Sequence, residues 1–519
     1  MYVVAPPCDV PQVISLHVEP YEISTAHETL PYGEGKVTRT IATKQPHVLR
    51  GSHLKQPPII AGIALISFNI NMLNISRKIS AALSLWNTSY GRRPVIIRGA
   101  RQIGKSHSIR EFGRAHFENV VEVNLEERRT LGKLFESGDP KLICTELALQ
   151  FNQPINPGKT LLFLDEIQET PAALSALRFF FEKLPELHVA CAGSMLDMVL
   201  DRERDIRVPV GRVEYLYMLP CSFVEFLDAL GETIAKDTVQ TLSIDNPPSD
   251  EAHRKLLDLF NRYVVCGGMP AVIAAYADAA ESLRFRKLQA DLMQTFREDL
   301  RKYRTRIDYD KLDTAFAALP RFVSQEFKFA TFNPNWSSAT THNLLDLFSQ
   351  ARIINYIHSS AGNGVPLAAE VKRSPNKFIF VDVGLLCSSM GLTTEKVARW
   401  NQDLVNPGVI AEQAVGQELL AYSEALFEPK NFFWKRDKQG ANAQVDYLFG
   451  CDGVILPLEV KSGTTGTLKS LKIFLQEKGC PCGIRVSQHN LSLHDQVLSV
   501  PVYGLASLER LSSEALKRI

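Results

Sequence analysis

The chain is read outward from Gly91-Arg92-Arg93-Pro94-Val95-Ile96-Ile97-Arg98-Gly99-Ala100-Arg101-Gln102-Ile103-Gly104-Lys105-Ser106. A β-branched run, Val95 to Ile97, leads into a loop bounded by Gly99 and Gly104, and the pattern from His107 to His116 predicts a helix. Strand, glycine loop and helix form the setting in which backbone N–H groups turn inward around phosphate oxygens, with the helix N-terminus adding partial positive charge. Gly99, Ala100, Arg101, Gln102, Ile103, Gly104, Lys105 and Ser106 are therefore expected to cradle the phosphates of ATP. Lys105 would reach the β- and γ-phosphates and Ser106 would ligate Mg2+.

From Pro94 onward strands alternate with helices, which predicts a parallel sheet covered on both faces. Expected strands are 95–98, 120–125, 160–165, 188–193 and 213–219. The third, Thr160-Leu161-Leu162-Phe163-Leu164-Asp165, is an apolar run that stops at two carboxylates. A buried strand can deliver an acid to Mg2+ at its C-terminal edge, the role expected of Asp165, while Glu166 would orient or deprotonate the attacking water. An Asp-Glu pair after a strand also serves as a helix cap, and the two readings compete. The fourth strand ends at Ser194, expected to face the γ-phosphate or to cap the next helix. Arg202, Arg204, Arg207 and Arg212 follow within eleven residues. Arg212 is chosen as the guanidinium that meets developing phosphoryl charge, a group often supplied by a neighbouring subunit, so a homo-oligomer is expected; a solvated loop arginine is the competing reading.

Gly-Ala-Arg-Gln-Ile-Gly-Lys-Ser, Leu-Phe-Leu-Asp-Glu-Ile-Gln, Ala-Gly-Ser, Gly-Arg-Val-Glu with the following Leu-Pro-Cys-Ser-Phe-Val-Glu-Phe, and Gly267-Gly268-Met269-Pro270 together resemble the prokaryotic AAA-type ATPases that carry a C-terminal restriction-endonuclease-like domain. The resemblance runs from about residue 75 to the end. It implies an ATP-binding core with Lys105, Ser106, Asp165 and Glu166 in the roles above, Ser194 as a sensor and Arg212 as the arginine. Cys221 stands where relatives often have leucine.

Composition neither adds to this nor opposes it. The 519 residues are 45% apolar and 22% charged with a formal net charge of +1, so any nucleic-acid surface must be local. Nine cysteines form no paired zinc spacing, which fits reduced thiols in the cytoplasm. The apolar run from Ile59 to Phe68 is too short to span a bilayer, and no membrane association is expected. Residues 1–71, rich in proline, read as a disordered or artefactual extension, and residues 72–230 as the ATPase core.

Residues 231–306 read as helical; from Arg284 to Arg306 eight Lys or Arg stand against three Asp or Glu, Tyr303 among them. Such a face can track a phosphate backbone, or simply be solvated. In residues 307–390, helices at 309–324 and 338–349 followed by short strands at 352–357 and 377–381 suggest a winged-helix module, with Thr340, Thr341, His342 and Asn343 as a polar face toward DNA, while Leu344, Leu345, Leu347 and Phe348 make much of the second helix core.

Residues 391–519 carry a second chemical signal. A helix from Val409 to Tyr422 bears Glu412, and a predicted hairpin carries Asp446 on one strand and Glu459 with Lys461 on the other. Residues two apart share a strand face, so Glu459 and Lys461 point together, and Asp446 meets Glu459 across the pair. Two such carboxylates repel unless a divalent cation lies between them. Glu412, Asp446 and Glu459 are the expected metal ligands, with Lys461 steadying charge at a water activated by that metal. The hairpin and helix resemble the metal-dependent nuclease core that ends in Asp…Glu-x-Lys. A surface hairpin with an ion pair, or a silent DNA-binding version, stays open.

The expected architecture is thus α/β: a parallel-sheet AAA-type ATPase core, a helical and winged-helix-like middle, and a restriction-endonuclease-like α/β C-terminal domain.

Overall fold

The computed structural model describes residues 24–32, 35–43, 75–194, 196, 209, 211–278, 283–302, 308–371, 377–392, 407–436, 443–463 and 467–519. Arg202, Arg204, Arg207 and Tyr303 lie outside the described residues. Two strands, β1 (Ser24–Tyr32) and β2 (Gly35–Thr43), pair antiparallel within the unit Met1–Asn69. A stretch expected to lack regular structure therefore contains a hairpin. Val37, Thr38, Thr40, Ile41 and Thr43 give β2 a β-branched content that the surrounding prolines mask in the sequence.

In the unit Ile70–Ile519, α1 (Ile79–Thr88) precedes β3 (Val95–Arg98), α2 (Lys105–His116), β4 (Asn119–Asn124), α3 (Pro140–Phe151), β5 (Thr160–Asp165), α4 (Pro171–Lys183), β6 (His188–Ala192) and β7 (Glu214–Tyr217). The five strands form an all-parallel sheet in the order β4-β5-β6-β3-β7. Strand periodicity divides the core. Val95, Ile97, Leu161, Phe163, Ala190 and Ala192 pack with Trp86 and Phe112 on one face, while Ile96, Leu162, Leu164, Val189 and Cys191 pack with Ile143, Leu147, Leu174 and Leu177 on the other. Because the strands are parallel, β3, β5 and β6 all end at one edge, and the loops that follow them gather there.

Helices α5 (Phe223–Ala229), α6 (Thr233–Gln240), α7 (Asp250–Cys266), α8 (Pro270–Asp278), α9 (Leu283–Lys302), α10 (Tyr309–Ala318) and α11 (Ser338–Gln350) make the middle of the chain. A capping box starts α5: Glu225 N–H donates to Ser222 Oγ, and Ser222 N–H donates to Glu225. The helix expected over 309–324 stops at Ala318, since Pro320 enters the short 3-10 turn that follows.

The remaining elements are β8 (Ile354–Ser359), β9 (Phe378–Phe380), α12 (Val383–Ser389), α13 (Pro407–Tyr422), β10 (Asn431–Lys435), β11 (Gln444–Cys451), β12 (Val454–Val460), α14 (Lys469–Lys478), β13 (Gly483–Ser487), β14 (Ser492–His494), β15 (Val497–Pro501) and α15 (Leu508–Arg518). Eight of these are strands of one mixed sheet, in the order β14-β15-β13-β12-β11-β10-β8-β9. The two strands expected as a wing are not a separate wing. β8 runs parallel to β10, with Asn431 opposite Ile357, so the sheet takes strands from both sides of residue 390. Their apolar faces need a cover that two strands alone do not supply. Among the described residues no helix is long and apolar enough to cross a membrane.

Candidate functional site

At the C-terminal edge of the parallel sheet, Gly99 has φ +154°, and a Cβ there would lie 2.2 Å from the Met218 carbonyl oxygen. Only glycine allows that close backbone approach. Gln102 (φ +60°) and Gly104 (φ +94°) complete the loop and release the chain into α2. Lys105 is buried, and its Nζ donates to the carbonyls of Gly99 and Ala100 at 3.0 and 2.7 Å. Burial pushes its pKa down to about 8, opposed by the charges of Glu166 and Asp165.

Ser106 Oγ donates to Asp165 Oδ1 at 2.9 Å, joining the start of α2 to the end of β5. Burial raises the Asp165 pKa, while the Ser106 hydrogen bond works the other way. Glu166 follows in the left-handed region (φ +49°), and its carboxylate accepts from Gln168 Nε2 at 2.6 Å. Ser194 lies just past β6, the strand between β3 and β5, and its buried Oγ has no hydrogen-bond partner among the described residues. Lys105, Ser106, Asp165, Glu166 and Ser194 are thus brought to one edge. A hydroxyl, a carboxylate and an adjoining phosphate cradle are a donor set that fits Mg2+ with a nucleotide.

Arg212 is not part of that gathering within one subunit. It precedes β7, whose Glu214 pairs with Val95, at the opposite edge of the sheet. Its Nε meets Glu182 Oε1 at 2.9 Å, and its guanidinium lies over the Phe181 ring.

Three residues escaped the reading of the sequence around this site. Gln168 stands in the quoted Asp-Glu-Ile-Gln motif, and its position two residues past Glu166 was the available signal. Arg77 Nη1 donates to the Ile103 carbonyl at 2.7 Å, Nη2 to Leu219 O at 2.5 Å, and Nε to Glu225 Oε1 at 3.1 Å. Asp299 of α9 meets Arg101 Nε at 2.8 Å. The basic face expected in α9 is largely paired: Arg297 and Arg301 both meet Asp313, and Lys287 meets Asp291.

In the C-terminal sheet, Asp446 Oδ2 accepts from Val460 N at 2.8 Å, and Lys461 Nζ lies 2.7 Å from Glu459 Oε1. Glu412, on α13, lies 3.0 Å from Nζ of Lys377, a fully buried lysine just before β9. Burial pushes Glu412 and Glu459 up to about 7; Lys377 opposes the shift at Glu412, and the Asp446 charge adds to it at Glu459. Among the described residues no group of three or more His, Cys, Asp or Glu is arranged to hold a metal ion. Here each carboxylate that the expected metal would use is already engaged at one oxygen: Asp446 Oδ2 by a backbone N–H, Glu459 Oε1 by Lys461, and Glu412 Oε2 by an ion pair with Lys377, while the buried Oε2 of Glu459 has no hydrogen-bond partner among the described residues. Nothing in the strand spacing marks Lys377, which reads as an ordinary residue at a strand start.

Helix α13 is bonded both to α5 and α7 and to the C-terminal sheet. Glu418 accepts from Phe223 N at 3.0 Å and from Tyr263 Oη at 2.7 Å, while Gln413 bonds both N and O of Phe380. Lys78 Nζ donates to the carbonyls of Tyr422 and Ser423 at the helix end. Gly268 N and Leu385 N donate to Asp382, so the Gly267-Gly268 cluster serves as a close-packed junction.

Residues 91–227 match the family model of an AAA domain, residues 257–396 a domain of unknown function (DUF8612), and residues 407–503 another domain of unknown function (DUF4143). No curated protein matches the chain. Among solved structures, the Aeropyrum pernix ORC1 protein in complex with DNA is 12% identical, covering 62% of this chain and 92% of that one, with a TM-score of 0.26. The Thermotoga maritima RuvB Holliday junction branch migration motor is 11% identical over 62% and 96%, also with a TM-score of 0.26. The AAA-domain match and the parallel sheet agree: residues 91–227 form an AAA-type P-loop core, a nucleotide-binding unit.

Proposed function

We propose that the protein binds Mg-ATP at the loop Gly99–Ser106, hydrolyses it, and passes its nucleotide state to the C-terminal nuclease-like domain, whose partner is DNA. The observation that carries this reading is the contact of Ser106 Oγ with Asp165 Oδ1, made beside a buried Lys105 and an unpartnered Ser194 hydroxyl. Mg2+ held by Ser106 and Asp165 would neutralise phosphate charge. Lys105 supplies a fixed ammonium to the phosphates, Glu166 takes the proton of the attacking water, and Gln168 orients Glu166. Ser194 meets the γ-phosphate. Arg212 would act only on the nucleotide of a neighbouring subunit, which makes the working form a homo-oligomer. The eight described cysteines are buried free thiols, in keeping with a reducing cytoplasm.

Equilibrium titration with ATP and Mg2+ tests the reading: the wild type is expected to bind ATP and Lys105→Ala to lose it.

A second reading is favoured by the already engaged carboxylates Glu412, Asp446 and Glu459. In it the C-terminal domain grips DNA without cutting, and nucleotide state sets the grip. Cleavage of linear and branched DNA with Mg2+ or Mn2+, compared between wild type and Glu459→Ala, separates the two readings.

A further inference from the structure

Lys377 carries its ammonium into the interior of the C-terminal sheet, with 1% of the side chain exposed. A lone charge buried this far costs several kcal/mol and persists only against compensating charge. That compensation is present. Nζ is 3.0 Å from Glu412 Oε2, and the rings of Phe433 and Tyr447 stand 5.7 and 5.8 Å away. The charges of Asp446 and Glu459 also act on this ammonium. Three carboxylates therefore face two ammonium groups, those of Lys377 and Lys461.

A divalent cation would need the charge that Lys377 already satisfies and the oxygen of Glu412 that it already meets. Asp446 is further committed to Val460 N, and Glu459 to Lys461. We propose that Lys377 is the resident cation of this cluster, standing in for the divalent metal of the nuclease cores that the hairpin resembles, so that Glu412, Asp446 and Glu459 are held together without metal. The inference rests on the second reading above for the identity of the cluster. Its consequence is a change of use. Glu412 becomes the point at which α13 is fastened to the sheet, and Glu418, six residues on, is the point at which the same helix is fastened to Phe223 beside the ATPase core.

The test is uptake of Mn2+ by the nucleotide-free full-length protein, with the unbound ion followed by electron paramagnetic resonance. Wild type and Glu459→Gln are expected to take up the same amount, since any contribution of the phosphate loop is common to both. Lys377→Met is expected to gain one Mn2+ ion per chain, bound at least ~10-fold more tightly than any in the wild type, and Lys377→Met/Glu459→Gln to lose it again. Wild-type uptake that Glu459→Gln removes would overturn the proposal, as would a folded Lys377→Met that gains nothing. Should Lys377→Met not fold, the comparison of wild type with Glu459→Gln decides alone. DNA cleavage is followed in the same samples. Metal uptake at the cluster by the wild type without cleavage overturns this inference and leaves the silent-domain reading standing, whereas wild-type uptake with cleavage overturns both.

Discussion

Arg77 donates to the carbonyl of Ile103, inside the phosphate loop, at 2.7 Å, and the same guanidinium meets Glu225 Oε1 of α5 at 3.1 Å. One buried side chain thus fixes the loop to the capping box of α5, although it lies upstream of every motif legible in the sequence. Arg77→Met is expected to leave Glu225 buried without its charge partner, held only by the backbone N–H groups of Lys78 and Ser222, at a cost of about 3–5 kcal/mol of stability. ATP affinity should fall about tenfold, or ~1.4 kcal/mol. Urea unfolding and ATP titration check the two effects, and Arg77→Lys should not restore affinity, since one ammonium cannot reproduce the planar three-way fork.

Gly99→Ala should be more severe at the loop. The added methyl would meet Met218 O at 2.2 Å. The loop must shift, and ATP binding is expected to weaken by about a hundredfold or more, ~2.7 kcal/mol. Far-ultraviolet circular dichroism checks that the sheet itself survives.

Lys105 makes ATP binding pH-dependent. In the free protein burial lowers its pKa to about 8, so the ammonium is lost progressively above that pH. Phosphates need the charged form. Affinity should hold below pH 8 and fall above it by up to about tenfold per pH unit. Each ATP bound there should take up a proton, measurable by calorimetry in buffers of different ionisation enthalpy. Lys105→Arg should remove both effects.

Glu418 sets a pH slope in stability rather than in binding. Burial raises its pKa to about 7 from the ordinary 4.5. Between those values the folded protein keeps a proton that the unfolded chain releases. The stability contributed by the raised pKa is therefore full below about pH 4.5 and is lost as pH rises through about 7. Glu418→Gln should flatten the pH dependence of urea stability across that window. Glu418→Ala should cost about 1–3 kcal/mol, because Phe223 N loses its side-chain acceptor and Tyr263 Oη keeps only the Cys221 carbonyl.

Arg212 separates the action of one subunit from that of two. Its ion pair with Glu182 is largely exposed, so Arg212→Ala should leave stability and ATP binding nearly unchanged. Turnover should fall only where subunits assemble. Mixing Arg212→Ala with Lys105→Ala should recover part of the activity, read as phosphate release against mixing ratio.

What the sequence reveals is what short-range periodicity encodes. Val95 to Arg98, Thr160 to Asp165, and the loop between Gly99 and Ser106 occur where strand and glycine patterns put them. The same is true of the meeting of Asp446 with the Glu459 strand, because a tight Asp452-Gly453 turn fixes the register. What stays hidden depends on tertiary packing. Lys377 and Glu412 are 35 positions apart, and no local pattern links a lysine at a strand start to a helix in another segment. Arg77 reaches Ile103 and Glu225 for the same reason. The expected wing failed on an allied point: two short apolar strands look alike whether they pair only with each other or, as β8 does, extend a sheet formed later in the chain.

Phosphate release from Mg-ATP, measured at steady state for wild type, Lys105→Ala and Glu166→Gln beside their ATP affinities, tests the central claim most directly. The account predicts turnover by the wild type, loss of both binding and turnover in Lys105→Ala, and retained binding with turnover reduced about a hundredfold or more in Glu166→Gln. Turnover that survives Lys105→Ala, or a wild type that binds no ATP, would contradict it.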